Sequence, residues 1–343
     1  MNTAPEELSP RYIFAGRLTR DYILQADGTA RLDVPGGNVV YAAAGLAVWE
    51  PKPPPGLVAR VGEDYPQRWL EEFGSRGFDI RGVHVLPQAV DLREFIAYLD
   101  RTTRVGDDPV SHFSRLGLPF PKVLLGYQNK NDTLDSRTRL SPVSLRQGDL
   151  IQDYLDATAA HICPLDYLTH SLMPAVLRQS GFTTVTLDPS SGYMNPTFRG
   201  DLAALVTGLT AFLPAEEELR TLFQGSSSDV WEMAEGIAAY GCEMVVIKRG
   251  VGGVLLYDGN ARARYELPPY PSRVVDALGV GDVFCGGFLA GYRRTFEPVE
   301  AALYGNISAS LAIEGRGPFY PLDAMPGLAQ ARLEALRPSV RKL

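Results

Sequence analysis

The segment DALGVGD places an acid, Asp282, directly after a glycine-rich turn. Gly279 and Gly281 free the backbone to turn tightly, and the apolar pattern that runs on to Tyr292 predicts a helix. The N–H groups from Gly279 to Asp282 then point one way, and such a helix N-terminus binds anions with a field of about half a positive charge. Asp282 can take a proton from a substrate hydroxyl there; alternatively, it only caps the helix.

A second glycine turn opens the segment PGGNVVYAAAGLAVW, residues 35–49. Gly36 and Gly37 precede an apolar helix built mostly of small residues, which lets the helix approach a sheet or a ligand closely. Plain helix packing after a glycine turn is the alternative. Upstream, a predicted strand ends at Gly16 and is followed by Asp21. This carboxylate either accepts hydrogen bonds from sugar hydroxyls or is an exposed acid in a turn.

The segment VVIKRGVGG, residues 245–253, predicts a buried strand followed by another glycine turn. It is not a dinucleotide-binding fingerprint, because the full G-x-G-x-x-G is absent and the turn leads into a second strand where a helix is needed. Lys248 and Arg249 either reach phosphates or flank the strand in water. The sequence also lacks the motifs of P-loop enzymes, zinc proteases and serine hydrolases.

Composition excludes several classes of protein. With 45% apolar residues, 21% charged residues and a net charge of -7 over 343 residues, the chain is expected to be globular and not to bind nucleic acid through phosphates. The three cysteines are far apart and form no CxxC pair, so buried reduced thiols are expected. The four histidines form no metal-binding motif. The N-terminus MNTAPEELSP is no secretory signal, and no apolar stretch is long enough to cross a bilayer. We therefore expect a cytoplasmic protein without a membrane contact.

The elements that must position these residues follow an alternating order. After Lys130 the chain comes to alternate short β-branched runs, the first of them AAHICPL, with helical stretches, which predicts βαβ units and a mainly parallel sheet. Ligands bind at the carboxyl ends of the strands in such sheets. The first hundred residues contain strands that suggest a small β element set against the α/β body. Residues 101–149 are read as a surface excursion, the edge of a lid or an oligomer contact.

The order of these stretches resembles the ribokinase-like (PfkB-type) carbohydrate kinases over about residues 11–320. The glycine pair near the N-terminus and the D-T-x-G-A-G-D-like signature near the C-terminus carry the resemblance, because the signature's helix VFCGGFLAGY matches as well. The segments between and after them also match in order: RVGEDYPQRWLEEFGSRGFDIRGV, ICPL, LDP, FLPAEEELRTLF and NISASLAIEGRGP.

The resemblance implies a fold, a reaction and a set of site residues. The implied fold is a ribokinase-like three-layer α/β sandwich, a single domain over residues 1–343 with a small β-sheet lid from about 16–35 and 91–105. The implied reaction transfers the γ-phosphoryl group of ATP, with Mg²⁺, to a hydroxyl of a small sugar or sugar-like alcohol, and a homodimer through the lid is implied by analogy.

Each predicted site residue then has an implied role. Asp282 is the base, and the turn of Gly279, Val280 and Gly281 is the anion hole. The other residues surround the ligands: at the acceptor Asp21, Gly36, Gly37, Asn38 and Tyr41, at the nucleotide Lys248, Gly250, Gly253 and Asn306, and at the metal Glu218.

Departures from the family pattern leave alternatives open. Ala277 and Val280 replace the usual Thr and Ala of the signature, which leaves the backbone donors in place. Ala215 stands where the pattern N-x-x-E has its Asn, so the metal geometry is in question. Tyr41 occupies a position where sugar kinases carry Asn, which favours a different polyol, a ring-bearing nucleoside or an unusual sugar, with simple packing as the alternative.

Three other functions compete with a sugar kinase. A nucleoside kinase of the same fold can use Tyr41, Phe95 and Tyr98 to stack on a base, although strand aromatics usually belong to the core. A binding protein that has lost turnover is favoured slightly by Ala215. A nicotinamide-dependent oxidoreductase is disfavoured by the missing fingerprint.

Overall fold

Strands and helices alternate through most of the computed structural model, which describes residues 9–129 and 135–343. The strands, in chain order, are β1 (Tyr12–Ala15), β2 (Thr19–Leu24), β3 (Ala30–Gly36), β4 (Gly56–Gly62), β5 (Val83–Leu86), β6 (Arg93–Tyr98), β7 (Arg104–Val105), β8 (Ala159–Ile162), β9 (Thr184–Leu187), β10 (Ala211–Phe212), β11 (Met244–Lys248), β12 (Val254–Asp258), β13 (Ala263–Leu267) and β14 (Arg341–Lys342). The helices are α1 (Asn38–Ala47), α2 (Gln67–Ser75), α3 (Pro109–Arg115), α4 (Tyr167–Gln179), α5 (Leu202–Val206), α6 (Glu216–Leu222), α7 (Val230–Ala238), α8 (Val280–Thr295), α9 (Pro298–Ala312) and α10 (Leu328–Leu336).

Ten strands form the main sheet in the order β14-β13-β12-β11-β10-β9-β8-β1-β4-β5. The pairs from β5 to β11 are parallel, and those from β11 to β14 are antiparallel. Helices cover both faces, so successive residues of β1 enter different cores: Ile13 packs with α4–α7 and Phe14 with α1 and α2. The predicted α/β fold with a mainly parallel sheet is confirmed.

Helices α1 and α8 pack against each other at the distance of their backbones. A Cβ atom added at Gly45 would lie 2.0 Å from the carbonyl oxygen of Val283, and one added at Gly286 would lie 1.7 Å from that of Ala42. Only glycine permits these contacts. The small residues of α1 therefore serve helix packing, and this packing brings the start of α1 beside the start of α8.

A second sheet, called the small sheet, has the order β3-β2-β6-β7, with β2 and β6 parallel. Its side chains alternate between two faces, as the period of two of a strand requires. Asp21, Glu94 and Ile96 belong to the inner face, which lines a cavity toward the main sheet. Tyr22 and Phe95 belong to the outer face, in a separate apolar cluster.

The chain itself covers this outer face. Phe113 of α3 and Leu124 pack on it, together with partly buried apolar residues from 116 to 127. The backbone N–H of Phe95 also donates to the Tyr127 hydroxyl at 3.2 Å. Part of the stretch 101–149 is thus an outer layer of the small sheet, while residues 130–134 of it, and the N-terminal residues 1–8, lie outside the described residues. The predicted homodimer through this sheet stays a prediction.

Cys163, Cys242 and Cys285 are buried and free, as the sequence suggested. None of the helices in the described part of the chain is long and apolar enough to cross a membrane.

Candidate active site

A cavity of about 240 Å³, called the first cavity, lies between the small sheet and the carboxyl ends of the main-sheet strands. Pro164 and Pro189, which follow β8 and β9, form one wall, and Thr19 and Ile96 of the small sheet form another. The start of α8 closes the cavity. This is the position in which parallel α/β sheets bind ligands.

Asp282 lies in the first turn of α8 and lines the first cavity. The N-cap is Gly279, in the left-handed region with φ 70°, and no side chain caps the helix. The expectation that Asp282 caps the helix is therefore wrong. The N–H groups of Val280, Gly281 and Asp282 have no acceptor inside the helix, because the first turn never does, and the Asp282 carboxylate makes no hydrogen bond to a described residue.

The surroundings of Asp282 disfavour its charged form. Burial, together with the nearby charge of Asp188, raises the pKa of Asp282 to about 7, although the charges of Lys248, Arg104 and Arg17 act to lower it. A carboxyl with a pKa near 7 exchanges a proton readily at neutral pH. The turn thus combines free backbone donors with a group able to accept a proton.

Asp21 faces the same cavity from the small sheet and is buried, not an exposed turn acid. Thr19 Oγ1 donates to its Oδ1 at 2.6 Å. Burial, together with the charge of Glu94, raises the pKa of Asp21 to about 7. Gly36 leaves room for this carboxylate, because a Cβ atom there would lie 2.0 Å from Asp21 Oδ2.

Asn38 begins α1 and holds two loops of the first cavity together. Its Oδ1 accepts from the backbone N–H of Arg17 at 2.8 Å, and its Nδ2 donates to the carbonyl of Pro164 at 2.8 Å. Gly37, with φ 119°, precedes it where a Cβ atom would lie 2.3 Å from the carbonyl oxygen of Arg17. Both residues line the cavity, where the amide of Asn38 has hydrogen-bonding capacity left for a ligand.

Tyr41 lines the first cavity and packs against the α8 turn. A Cβ atom at Gly279 would lie 2.2 Å from Cδ1 of its ring, so the ring occupies the space that this glycine leaves. No hydrogen bond joins the Tyr41 hydroxyl to another described residue. The two other aromatic residues predicted to stack on a base do not line this cavity. Phe95 belongs to the outer face of the small sheet, and the Tyr98 hydroxyl donates to Asp276 at 2.7 Å.

A second cavity, of about 670 Å³, adjoins the ends of β10 and β11. Lys248 lines it and forms an ion pair with Asp188, which follows β9. The ammonium also lies 3.7 Å from Cys285 Sγ and 3.7 Å from the position of a Cβ atom at Gly281. Lys248 therefore sits under the α8 turn in a buried pair. The expectation that it flanks the strand in water is wrong, since only 15% of its side chain is exposed.

The other residues predicted at the nucleotide separate into two groups. Gly250, with φ 55°, lines the second cavity. Gly253 and Asn306 line neither cavity: a Cβ atom at Gly253 would lie 2.1 Å from the carbonyl oxygen of Leu267, and Asn306 is buried. Asn306 donates to the carbonyl of Pro268 at 2.8 Å and accepts from the N–H of Tyr270 at 3.1 Å, so it fixes the loop after β13.

Glu218 lines the first cavity with one carboxylate oxygen engaged, because Oε2 accepts from the N–H of Ala215 at 2.9 Å. Burial, together with the charge of Asp188, raises the pKa of Glu218 to about 7. Among the described residues, no group of three or more His, Cys, Asp or Glu is placed to hold a metal ion. A metal here would need most of its ligands from elsewhere, as Mg²⁺ does when phosphates and waters supply them.

Three charged residues of the region were missed as site residues. Arg17 and Arg104 line the first cavity, and Asp188 holds Lys248. The sequence could have indicated Asp188, because this residue directly follows the strand TVTL, and ligands of this fold class bind at the carboxyl ends of strands. No sequence signal separates Arg17 and Arg104 from the other arginines of the chain.

Relatives in sequence agree on a kinase family. A sequence profile of the pfkB family carbohydrate kinases matches residues 153–325. The cytidine kinase of Thermococcus kodakarensis is 30% identical over 289 residues, which are 82% of this chain and 88% of that protein. A 5-dehydro-2-deoxygluconokinase of Clostridium perfringens is 24% identical over 58% of this chain and 61% of its own.

Solved structures share the fold at lower identity. A candidate ribokinase II from Escherichia coli, solved with ATP and Mg²⁺, superposes with a TM-score of 0.69, 18% identity and coverage of 95% and 99% of the two chains. The nucleoside kinase of Burkholderia thailandensis, in complex with inosine, has a TM-score of 0.66 and 17% identity, with coverage of 95% and 98%. The predicted ribokinase-like fold, with its large mainly parallel sheet and smaller second sheet, is confirmed. By its sequence profile and its cytidine kinase relative alike, the chain belongs to the pfkB family of carbohydrate kinases.

Proposed function

We propose that this protein transfers the γ-phosphoryl group of ATP to a hydroxyl of a sugar-like acceptor bound in the first cavity. One observation carries the proposal. Asp282 presents an unbonded carboxylate in the first turn of α8, beside free backbone donors and opposite the buried Asp21. A base and an anion-binding turn in one site are what transfer to an alcohol requires.

In the proposed reaction, Asp282 accepts the proton of the acceptor hydroxyl as its oxygen attacks the γ-phosphorus. The new O–P bond forms as the bond from the γ-phosphorus to the β,γ-bridging oxygen breaks, and ADP leaves with that electron pair. The N–H groups of Val280, Gly281 and Asp282 stabilise charge on the transferred group, because α8 provides them no other acceptor. Base catalysis of this kind contributes about 10² to 10⁴ in rate.

ATP is assigned to the side of the second cavity, and Mg²⁺ to Glu218, which lines the first cavity. Lys248 and Gly250 line the second cavity, and Lys248 also lies under the α8 turn, so its charge is close to both cavities. When bound, Mg²⁺ would offset the negative charge of the nucleotide phosphates. The residues present fit an ion held chiefly by those phosphates, with the oxygen of Glu218 that does not bond Ala215 as the protein's contribution.

The acceptor is assigned to Asp21, Asn38 and Tyr41, which offer a carboxylate, an amide and a hydroxyl to sugar hydroxyls. A nucleoside is the second candidate, supported by the cytidine kinase that is 30% identical over most of this chain. Of the aromatic residues proposed to stack on a base, only Tyr41 lines the cavity. With either acceptor, a sugar or a nucleoside, the small sheet acts as a lid that excludes water. The lid and the main sheet belong to one kinase domain.

A panel of acceptors tests the proposal. ADP release is measured with Mg²⁺ and ATP in the presence of aldoses, ketoses, sugar acids, polyols and nucleosides, and the product is identified by mass spectrometry. A phosphorylated sugar supports the first candidate, and phosphorylation of nucleosides alone replaces it with the second. Binding of ATP and of an acceptor without turnover would show a binding protein and sink the kinase.

A further inference from the structure

Asp276 opens the glycine-rich turn segment and has no role in the reaction proposed above. It is 2% exposed. Its carboxylate accepts three hydrogen bonds: from Arg31 Nη2 at 2.5 Å, from the Tyr98 hydroxyl at 2.7 Å and from the backbone N–H of Leu278 at 3.1 Å. Two of these three donors belong to the small sheet, so the carboxylate joins separate parts of the fold.

The position of Asp276 is fixed from the side of the main body. The backbone N–H groups of Val275 and Asp276 both donate to the carbonyl of Ile313, at 2.8 and 3.2 Å, just after α9 ends. Arg31 comes from β3 and Tyr98 from β6. A buried carboxylate anchored on the body thus holds two strands of the small sheet.

Leu278 continues this connection into the first cavity, which it lines. It packs on the inner face of the small sheet with Ile23, Ile96 and Tyr98, and also on the cluster of Tyr41 and Val283 at the start of α8. The residue before Gly279 is therefore in contact with the small sheet and with the helix. Movement of the sheet would be transmitted to the turn that carries Asp282.

We propose that Asp276, Arg31 and Tyr98 form a latch that fixes the small sheet over the turn at the start of α8, which carries Asp282. The inference rests on the proposed function, and these are positioning residues, because they act through Leu278 and the turn. With the latch intact, the first cavity excludes water from the γ-phosphoryl group. With the latch broken, the sheet opens more often, and water competes with the acceptor for transfer.

The chain offers matched controls in the small sheet. Tyr22 donates its hydroxyl to Asp33 at 3.1 Å, and Arg93 donates to Asp91 at 2.8 Å. Both bonds join a tyrosine or an arginine to an aspartate, as in the latch, but neither reaches the turn segment. Tyr22→Phe therefore controls for Tyr98→Phe, and Arg93→Gln for Arg31→Gln.

The first test measures two products from Mg·ATP with cytidine as the acceptor probe: inorganic phosphate from hydrolysis and phosphorylated cytidine. If cytidine is not phosphorylated, the best acceptor of the panel replaces it. We expect Tyr98→Phe and Arg31→Gln to raise the ratio of phosphate to phosphorylated acceptor roughly tenfold, since each removes a hydrogen bond to a buried charge. Tyr22→Phe and Arg93→Gln should leave it within about twofold. Equal ratios in latch and control variants would overturn the latch.

Hydrogen exchange gives a second readout that needs no acceptor. Amides of β6 in Tyr98→Phe should exchange roughly tenfold faster than in the unsubstituted protein, with Tyr22→Phe unchanged there. If no acceptor is phosphorylated by the unsubstituted protein, the proposed kinase fails, while exchange still decides whether the latch exists. Unchanged exchange in both Tyr98→Phe and Arg31→Gln would refute the latch even if the kinase activity stands.

Discussion

The two cavities differ in whether their charged side chains form ion pairs. Within the described residues, Asp21 and Asp282 line the first cavity without an ion pair, and burial raises the pKa of each to about 7. Beside the second cavity the cationic side chains are paired, among them Lys248 with Asp188, and Arg249 with Glu266 at 2.9 Å. The first arrangement keeps carboxylates available to a ligand, and the second holds structure in place.

This difference has an energetic consequence. A buried charge without a partner costs folding free energy, so a protein retains it where chemistry needs it. A buried ion pair adds little net stability, but loss of one partner leaves the other charge uncompensated. Substitutions in the first cavity should therefore change rate more than stability, and substitutions of the pair should lower stability.

Asp282→Asn should have the largest effect on rate. We expect kcat to fall by about 10² to 10⁴, because the amide cannot accept the hydroxyl proton, while ATP affinity changes little. The free energy of unfolding should stay equal or rise, since a partly buried carboxylate without an ion pair is removed. ADP release, nucleotide titration and urea unfolding measure the three quantities. Turnover close to that of the unsubstituted protein would remove Asp282 as the base.

Lys248→Met should have the largest effect on stability. It leaves Asp188 buried without its partner, so the free energy of unfolding should fall by about 3–5 kcal/mol. Arg249→Met, one residue on, is the control: its pair with Glu266 is partly exposed, and its loss should cost about 0–1 kcal/mol. Urea unfolding of both variants decides the point. Equal losses would mean that the Lys248 pair is no more buried than its neighbour.

Sequence patterns were sufficient where local backbone chemistry decides the structure. The alternation of strands and helices predicted the main sheet, and the glycine turns predicted the positions of Gly37 and Gly279, both of which have positive φ. Asp282, in the first turn of α8, and Asp21, within β2, meet in one cavity because the small sheet faces the carboxyl ends of the main-sheet strands.

Patterns were insufficient where contacts join distant segments. Lys248 and Asp188 are 60 residues apart, and Tyr98 and Asp276 are 178 apart, so neither pair has a local signature. The sequence alone could have excluded Phe95 as a residue that stacks on a nucleoside base together with Tyr98. Alternation along β6 places Phe95 and Ile96 on opposite faces, and only one face can line a site.

The activity should rise with pH in a way that the first cavity predicts. Burial raises the pKa of Asp282 to about 7, and the base acts when ionised, so kcat/KM should increase about tenfold per pH unit below pH 7 and level off above it. Rate profiles from pH 5 to 9 measure this. The residual rate of Asp282→Asn serves as the control, and it should lack this rise. A profile that is flat from pH 5 would contradict an unpaired base in this cavity.

Tyr41→Phe is the smallest and most specific test of the first cavity. The substitution keeps the ring that packs against Gly279 and removes only the hydroxyl, which bonds no described residue. If that hydroxyl binds the acceptor, KM for the acceptor should rise about 2- to 10-fold, corresponding to one hydrogen bond, with kcat and the free energy of unfolding nearly unchanged. Steady-state kinetics and urea unfolding measure these quantities. An unchanged KM would assign Tyr41 to packing alone, and acceptor recognition would then depend on Asp21 and Asn38.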